Sequence, residues 1–247
     1  VTIQPYSNDS SITLGATRLD AGDFIPPRVK IVQAMSAEAN AEKDAAKVGD
    51  LVNTLTGENY GDALDFIPLQ TFKQRILLVR DERRPAIEQA LGTPISDGNG
   101  LKCRSFDMVK GTGEPGILCE SCPLAQWDGG TPPLCTETYN VAAMTNLGDL
   151  IILSFAKSSA KTGKRLFSML RMSHEKPWTR IYAMHTRKEK NDRGQFAVPD
   201  VKVTGVKTPP ELIRVASEWA RQLAGVQIDV TPLDEPVEEE DTGPAPF

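Results

Sequence analysis

Four cysteines, Cys103, Cys119, Cys122 and Cys135, stand in one 33-residue window and nowhere else in this 247-residue chain. Fifteen, two and twelve residues separate them in turn. Between them lie Gly111, Gly113, Gly116, Pro123, Gly129, Gly130, Pro132 and Pro133, residues that favour turns and bury little side chain. Such a stretch cannot build its own core and needs a staple. Four thiolates around a tetrahedral ion supply one, and Cys119-Glu-Ser-Cys122 is the tight half of such a site. Structural zinc is therefore the expected cofactor. An iron–sulfur cluster would use the same ligands. Two disulfides would require an oxidising compartment, and a redox Cys-x-x-Cys normally opens a helix after a strand, a context missing here.

On either side of this window the pattern is mainly that of strands. Val29 to Val32 reads as a short strand, and Ser36 to Lys47 has strong helix propensity with a weak apolar face. Leu64 to Leu69 and Phe72 to Val79 read as strand runs interrupted near Pro68, and Arg84 to Leu91 as a short helix stopped by Gly92. After the cysteines, Thr138 to Met144 and Asp149 to Phe155 flank the turn Asn146-Leu-Gly148 as a hairpin. Ser158 to Met172 reads as a helix, then Trp178 to Thr186 and Gln195 to Val203 as a second strand pair. Thr208-Pro209-Pro210-Glu211 has the form of a capping box opening a last helix, with Leu212, Val215, Ala216, Trp219 and Leu223 as its apolar stripe and Gly225 at its end.

In order these are strand, cysteine-bearing insertion, strand, strand, helix, strand, strand. That is the order of an OB-fold, a five-stranded Greek-key barrel. The expected fold class is α+β and mainly β: an OB-like barrel with a four-cysteine zinc insertion at 101–137 and a C-terminal helix. The expected organisation is a flexible arm at 1–25, the body at 26–228 and a disordered acidic tail at 229–247.

Charge divides the chain. From Asp229 onward there are seven acids and no Lys or Arg, which leaves +2 of the total charge of −5 for the rest. Between Lys157 and Arg193 eleven basic residues face three acids, an excess of +8. Cations for phosphates and rings for unpaired bases are what a single-strand groove requires. The candidate nucleic-acid contacts are Lys157, Lys161, Lys164, Arg165, Arg171, Lys176, Trp178, Arg180, Tyr182, Arg187 and Lys188. Trp178 and Tyr182 share one face of a strand by the two-residue alternation. Phe155 and Phe167 are expected in the core, and Trp127 is expected to pack on the cysteines.

Two motifs fail on context. Gly111-Thr-Gly113-Glu-Pro-Gly116 lies inside the cysteine loop, with Pro115 where a helix should begin. Lys161-Thr-Gly-Lys164 is followed by Arg165 where a phosphate loop needs Ser or Thr for magnesium. His174 and His185 belong to no nucleophile or metal constellation, so no catalytic residue is assigned and the chain is read as a non-enzyme.

The last residues are Glu238-Glu239-Glu240-Asp241, then Thr242 to Ala245, then Pro246-Phe247. This ending resembles that of bacterial and phage single-stranded DNA-binding proteins, in which an acidic stretch runs into a terminal aromatic. The resemblance covers about the last ten residues. It implies that Glu238, Glu239, Glu240, Asp241, Pro246 and Phe247 recruit replication or recombination proteins, while the acids compete with a strand for the basic groove. The implied function is sequence-independent binding of single-stranded DNA, RNA remaining open. The alternative is a zinc-bearing transcription or replication regulator that grips a polymerase. No apolar run approaches the ~20 residues that span a bilayer, and the expected location is the cytoplasm, that of a bacterial host if the protein is phage-encoded.

Overall fold

The computed structural model describes residues 13–14, 17–18, 27–41, 45–191 and 194–230. Eleven strands and three helices are formed among them. Two very short strands, β1 (Thr13–Leu14) and β2 (Thr17–Arg18), pair antiparallel inside the stretch expected to be an arm. The rest divides into two units. The first takes its described residues up to Gln70, Val141–Leu153 and Met169–Val230; the second takes Thr71–Asn140 and Ser154–Ser168.

The first unit is built on β3 (Arg28–Ile31), β4 (Leu51–Asn53), β10 (Arg180–Asn191), β11 (Gly194–Lys207) and parts of β5 (Ala63–Val79), β8 (Thr136–Thr145) and β9 (Leu150–Ala156). Its strands lie in the order β11-β10-β5-β8-β9-β3-β4. The sheet is not closed: β3 runs parallel to β9, with Arg28 beside Ile152, and β4 follows it. Phe66, Met144, Ile151, Ile152, Met184 and Val201 are buried, and the unbroken runs of buried residues along β8 and β9, including the adjacent Ile151 and Ile152, show that those strands are covered on both faces. β5 is continuous through Pro68. Its ladder with β10 covers Ala63 to Phe66 and stops before the proline, whose missing N–H therefore costs no bond to β10.

Three local expectations change in this unit. The segment from Ser36 is a short 3-10 turn, Ala37–Asn40, rather than a helix. Its polar groups bond locally instead: Ser36 Oγ accepts from the Gln33 N–H and Asn40 donates to the Ser36 carbonyl, both at 2.9 Å. Without a strong apolar face, nothing rewards a longer helix. Strands β10 and β11 extend through most of the expected polar turn at 188–194. Helix α3 (Pro210–Leu223) begins one residue late for a capping box. The Thr208 N–H is held by the Thr179 carbonyl at 3.0 Å, so Pro209 takes the N-cap and the buried Thr208 hydroxyl makes no hydrogen bond among the described residues.

The second unit contains α1 (Arg84–Leu91), β6 (Gly100–Ser105), β7 (Thr112–Gly113), the first part of β8 and most of α2 (Ala160–Met172). Strand β6 pairs with β5, Leu77 opposite Cys103, and with β7, Cys103 opposite Gly113. Leu77, Val79, Ile87, Ile95 and Leu124 form its core, with Cys103, Cys122 and Cys135 packed against them. Helix α2 lies close because residue 163 is glycine: a Cβ there would stand 2.7 Å from the Cβ atoms of both Phe155 and Tyr139. The glycine of the failed phosphate-loop motif is thus explained by packing.

The body extends past the expected boundary at 228. Ile228 and Val230 are buried, and the Val230 carbonyl accepts from the Arg28 guanidinium at 3.2 Å. Glu238 to Asp241, Pro246 and Phe247 lie outside the described residues.

Candidate nucleic-acid interface and cysteine cluster

In the second unit, Cys103 is carried by β6, Cys119 and Cys122 by the knuckle that precedes the turn Pro123–Ala125, and Cys135 by the run into β8. The knuckle is closed by Cys122 N–H to the Cys119 carbonyl at 3.4 Å, and Cys135 N–H bonds to the Leu124 carbonyl at 2.8 Å. All four cysteines are unbridged and line one cavity, together with Arg75, Leu77, Gly111 and Leu124. The sulfurs surround that cavity without being gathered into a ligand cluster: among the described residues, no three His, Cys, Asp or Glu side chains are placed to hold an ion. Burial and then the neighbouring cysteines push the Cys135 thiol up to about 12, against the opposing pull of Arg75. Burial likewise raises Cys103, opposed by backbone hydrogen bonds from Gly116 and Arg104.

Trp127, expected to pack on these cysteines, is 63% exposed. Gln126 explains its position: Nε2 donates to the Cys119 and Glu120 carbonyls at 3.3 and 2.9 Å, pinning residue 126 to the knuckle. The next residue is carried outward into the tight turn Asp128-Gly-Gly-Thr131, closed by Thr131 N–H to the Asp128 carbonyl at 2.7 Å.

Of the basic candidates in this unit, Lys157, Lys161, Lys164 and Arg165 are exposed along the start of α2. Phe155 is buried, as expected, while Phe167 is half-buried with its edge on Tyr139, centroids 5.4 Å apart. Tyr139 has Lys73 over its ring at 4.8 Å and Lys164 at 5.7 Å. Burial and a hydrogen bond to Glu137 raise its phenol to about 12. Lys73 also pairs with Glu137. Lys73, Tyr139 and Glu137 escaped the sequence reading because Lys73 on β5 is far in the chain from Glu137 and Tyr139 on β8, and all three lie outside the basic run.

In the first unit, Arg171, Lys176, Arg187 and Lys188 are exposed. Arg180 is bound to Glu175 at 2.7 Å and Arg187 to Glu189 at 2.6 Å. Surface pairs of this kind are worth ~0–1 kcal/mol, so a phosphate can displace the acid. Trp178 sits on the turn Pro177–Thr179 rather than on a strand, with the Lys176 ammonium 5.4 Å from its ring centroid. It lines an open cleft with Leu69, Gln70, Ser217, Glu218 and Arg221. The two rings expected on one face therefore part. Tyr182 is 2% exposed and packs on Phe66, centroids 5.9 Å apart, so it belongs to the core and leaves the set of stacking candidates.

The family described as Pam3 phage gp34-like protein matches residues 4–103 and 119–229, most of the chain. The chain belongs to that phage family. The match takes in all four cysteines and passes over 104–118, the stretch between the first two. No curated protein and no solved structure matches the chain. Among the described residues, no helix is long and apolar enough to cross a membrane.

Proposed function

We propose that this gp34-like protein binds single-stranded DNA without sequence preference, in phage replication, recombination or repair. The observation that carries the reading is the strand order β11-β10-β5-β8-β9, with α2 between β9 and β10 in sequence. Numbered from β5, that order is 5-4-1-2-3, the ladder order of an OB barrel, the architecture that presents rings and cations to single strands. It lacks the closing pair between the third and fifth strands, because β3 occupies the β9 edge. The Lys176–Trp178 pair of the first unit supplies a stacking ring beside a cation, and the exposed cations at the start of α2 in the second unit supply phosphate contacts of their own.

Titration with a fluorescent oligothymidine at low salt tests it. The expected result is binding that weakens steeply with salt and exceeds binding to duplex of equal length. Removal of residues 234–247 is expected to tighten binding at low salt, because an anionic competitor is gone. Absence of binding, or equal binding to duplex, would overturn the proposal.

Trp127 favours a second reading, a regulator that grips another protein. An exposed ring between the acids Glu120 and Asp128 suits a basic, apolar protein surface better than phosphates. Retained capture of a host polymerase by a chain that binds no oligonucleotide would decide for it.

A further inference from the structure

We infer that Cys103, Cys119, Cys122 and Cys135 bind one soft divalent cation, zinc by preference, with Arg75 as the counter-charge and Gly111 as the residue that admits the first sulfur.

Three observations carry this. First, segments as distant as β6, the knuckle at 119–122 and the run into β8 deliver four thiols to one cavity. The cavity adjoins the apolar cluster of Leu77, Ile87 and Leu124. Four reduced sulfurs, with no carboxylate or imidazole among the lining residues, select zinc or another thiophilic ion over magnesium or calcium. Second, the backbone is shaped around a sulfur. A Cβ at position 111 would overlap Cys103 Sγ, and the N–H groups of Gly116 and Arg104 bond to that same cysteine. N–H donors to sulfur are what a thiolate needs when buried.

Third, Arg75 lines the cavity with its Nε buried and, among the described residues, without a hydrogen-bond partner. One arm of its guanidinium is held by the Ala125 carbonyl at 3.2 Å. Arg75 is only partly buried and already attracts the Glu137 carboxylate, but its buried Nε–H still gains from a second anion on the cavity side. Four thiolates on a divalent ion carry a net charge of −2, and among the residues lining the cavity no acid supplies that second anion. The sulfurs surround the cavity without touching ligand geometry, so ion binding draws the knuckle and the run through Cys135 inward and closes the loop, releasing thiol protons to solvent.

The test uses the full chain, purified with reductant and no added metal. Elemental analysis is expected to find one zinc per chain. Native thiols should resist a disulfide reagent until chelator is added, and cobalt exchange should produce the visible bands of a tetrahedral thiolate site. Arg75→Met is expected to weaken zinc binding ~10- to 100-fold, with Arg75→Lys recovering part of the loss. Four freely reactive thiols in folded, metal-free protein would overturn the inference. So would acid-labile sulfide with iron, or zinc affinity unchanged in Arg75→Met for the assigned role of that residue. Each readout is of metal or thiol, so its outcome is independent of whether oligothymidine binds.

Discussion

The Gln33 carboxamide grips the Ala197 backbone from both sides: Nε2 donates to the Ala197 carbonyl at 2.9 Å, and Oε1 accepts from the Ala197 N–H at 3.0 Å. Ala197 lies in β11, paired with Lys188 of β10 on its other side. Gln33 thus does for one residue what a neighbouring strand would do for many, and it blunts an edge otherwise open to pairing with another chain. Gln33→Ala should lower stability by ~1–3 kcal/mol, because both backbone groups lose their partner. Gln33→Glu keeps the shape but presents no donor to the carbonyl and should be at least as damaging. Urea unfolding checks both, with a lower midpoint and an unchanged slope expected.

Tyr182 and Trp178 make a matched pair for separating core from interface. Tyr182→Ala should cost ~3–5 kcal/mol of stability, as for a buried ring on Phe66. Trp178→Ala should cost little stability and lose ~1–3 kcal/mol of strand binding, with Trp178→Phe recovering much of it. Thermal melts and oligothymidine titrations on the same preparations distinguish the two; a binding loss confined to Tyr182→Ala would reverse the assignment.

Gly163→Ala raises helix propensity yet should destabilise. The added methyl meets Phe155 and Tyr139 at 2.7 Å, an overpacking that costs ~1–3 kcal/mol and outweighs the ~1 kcal/mol gained by replacing glycine in a helix. A stabilised Gly163→Ala protein would show that α2 can move away from β8 and β9 at no cost.

Glu137 gives a pH dependence. Burial pushes its carboxyl up, but hydrogen bonds from Lys73 and Tyr139 outweigh burial and hold it below the ordinary carboxylate range. A depressed folded-state value contributes stability that is present above the unfolded value, about 4.3, and is lost as pH falls through the folded one. The melting temperature should therefore drop below about pH 4 more steeply in the native chain than in Glu137→Gln. Parallel curves would remove Glu137 from the acid response.

The elements that were legible in the sequence are those whose signal is local. The hairpin around Asn146-Leu-Gly148, helix α1 stopped at Gly92 and the pair β10–β11 follow from alternation and turn chemistry carried by the residues themselves. The segment after Ser36 departs from a helix because its polar groups bond locally, Ser36 back to Gln33, and the start of α3 shifts because a tertiary bond ties Thr208 to Thr179. Trp178 and Tyr182 were paired by alternation, which applies only if both lie on one strand, and the strand begins at Arg180.

By itself the sequence determined the mainly β class, the confinement of all four thiols to one Gly- and Pro-rich window, and the separation of a basic stretch from an acidic ending. These follow from residue type and short spacing, which need no partner to be read. Only the tertiary structure decided that the cysteines share a cavity with Arg75, that Tyr182 is core while Trp127 is exposed, and that β3 takes the edge of β9. Burial and strand pairing are set by segments far apart in the chain, and periodicity reports which face is apolar without naming what will cover it.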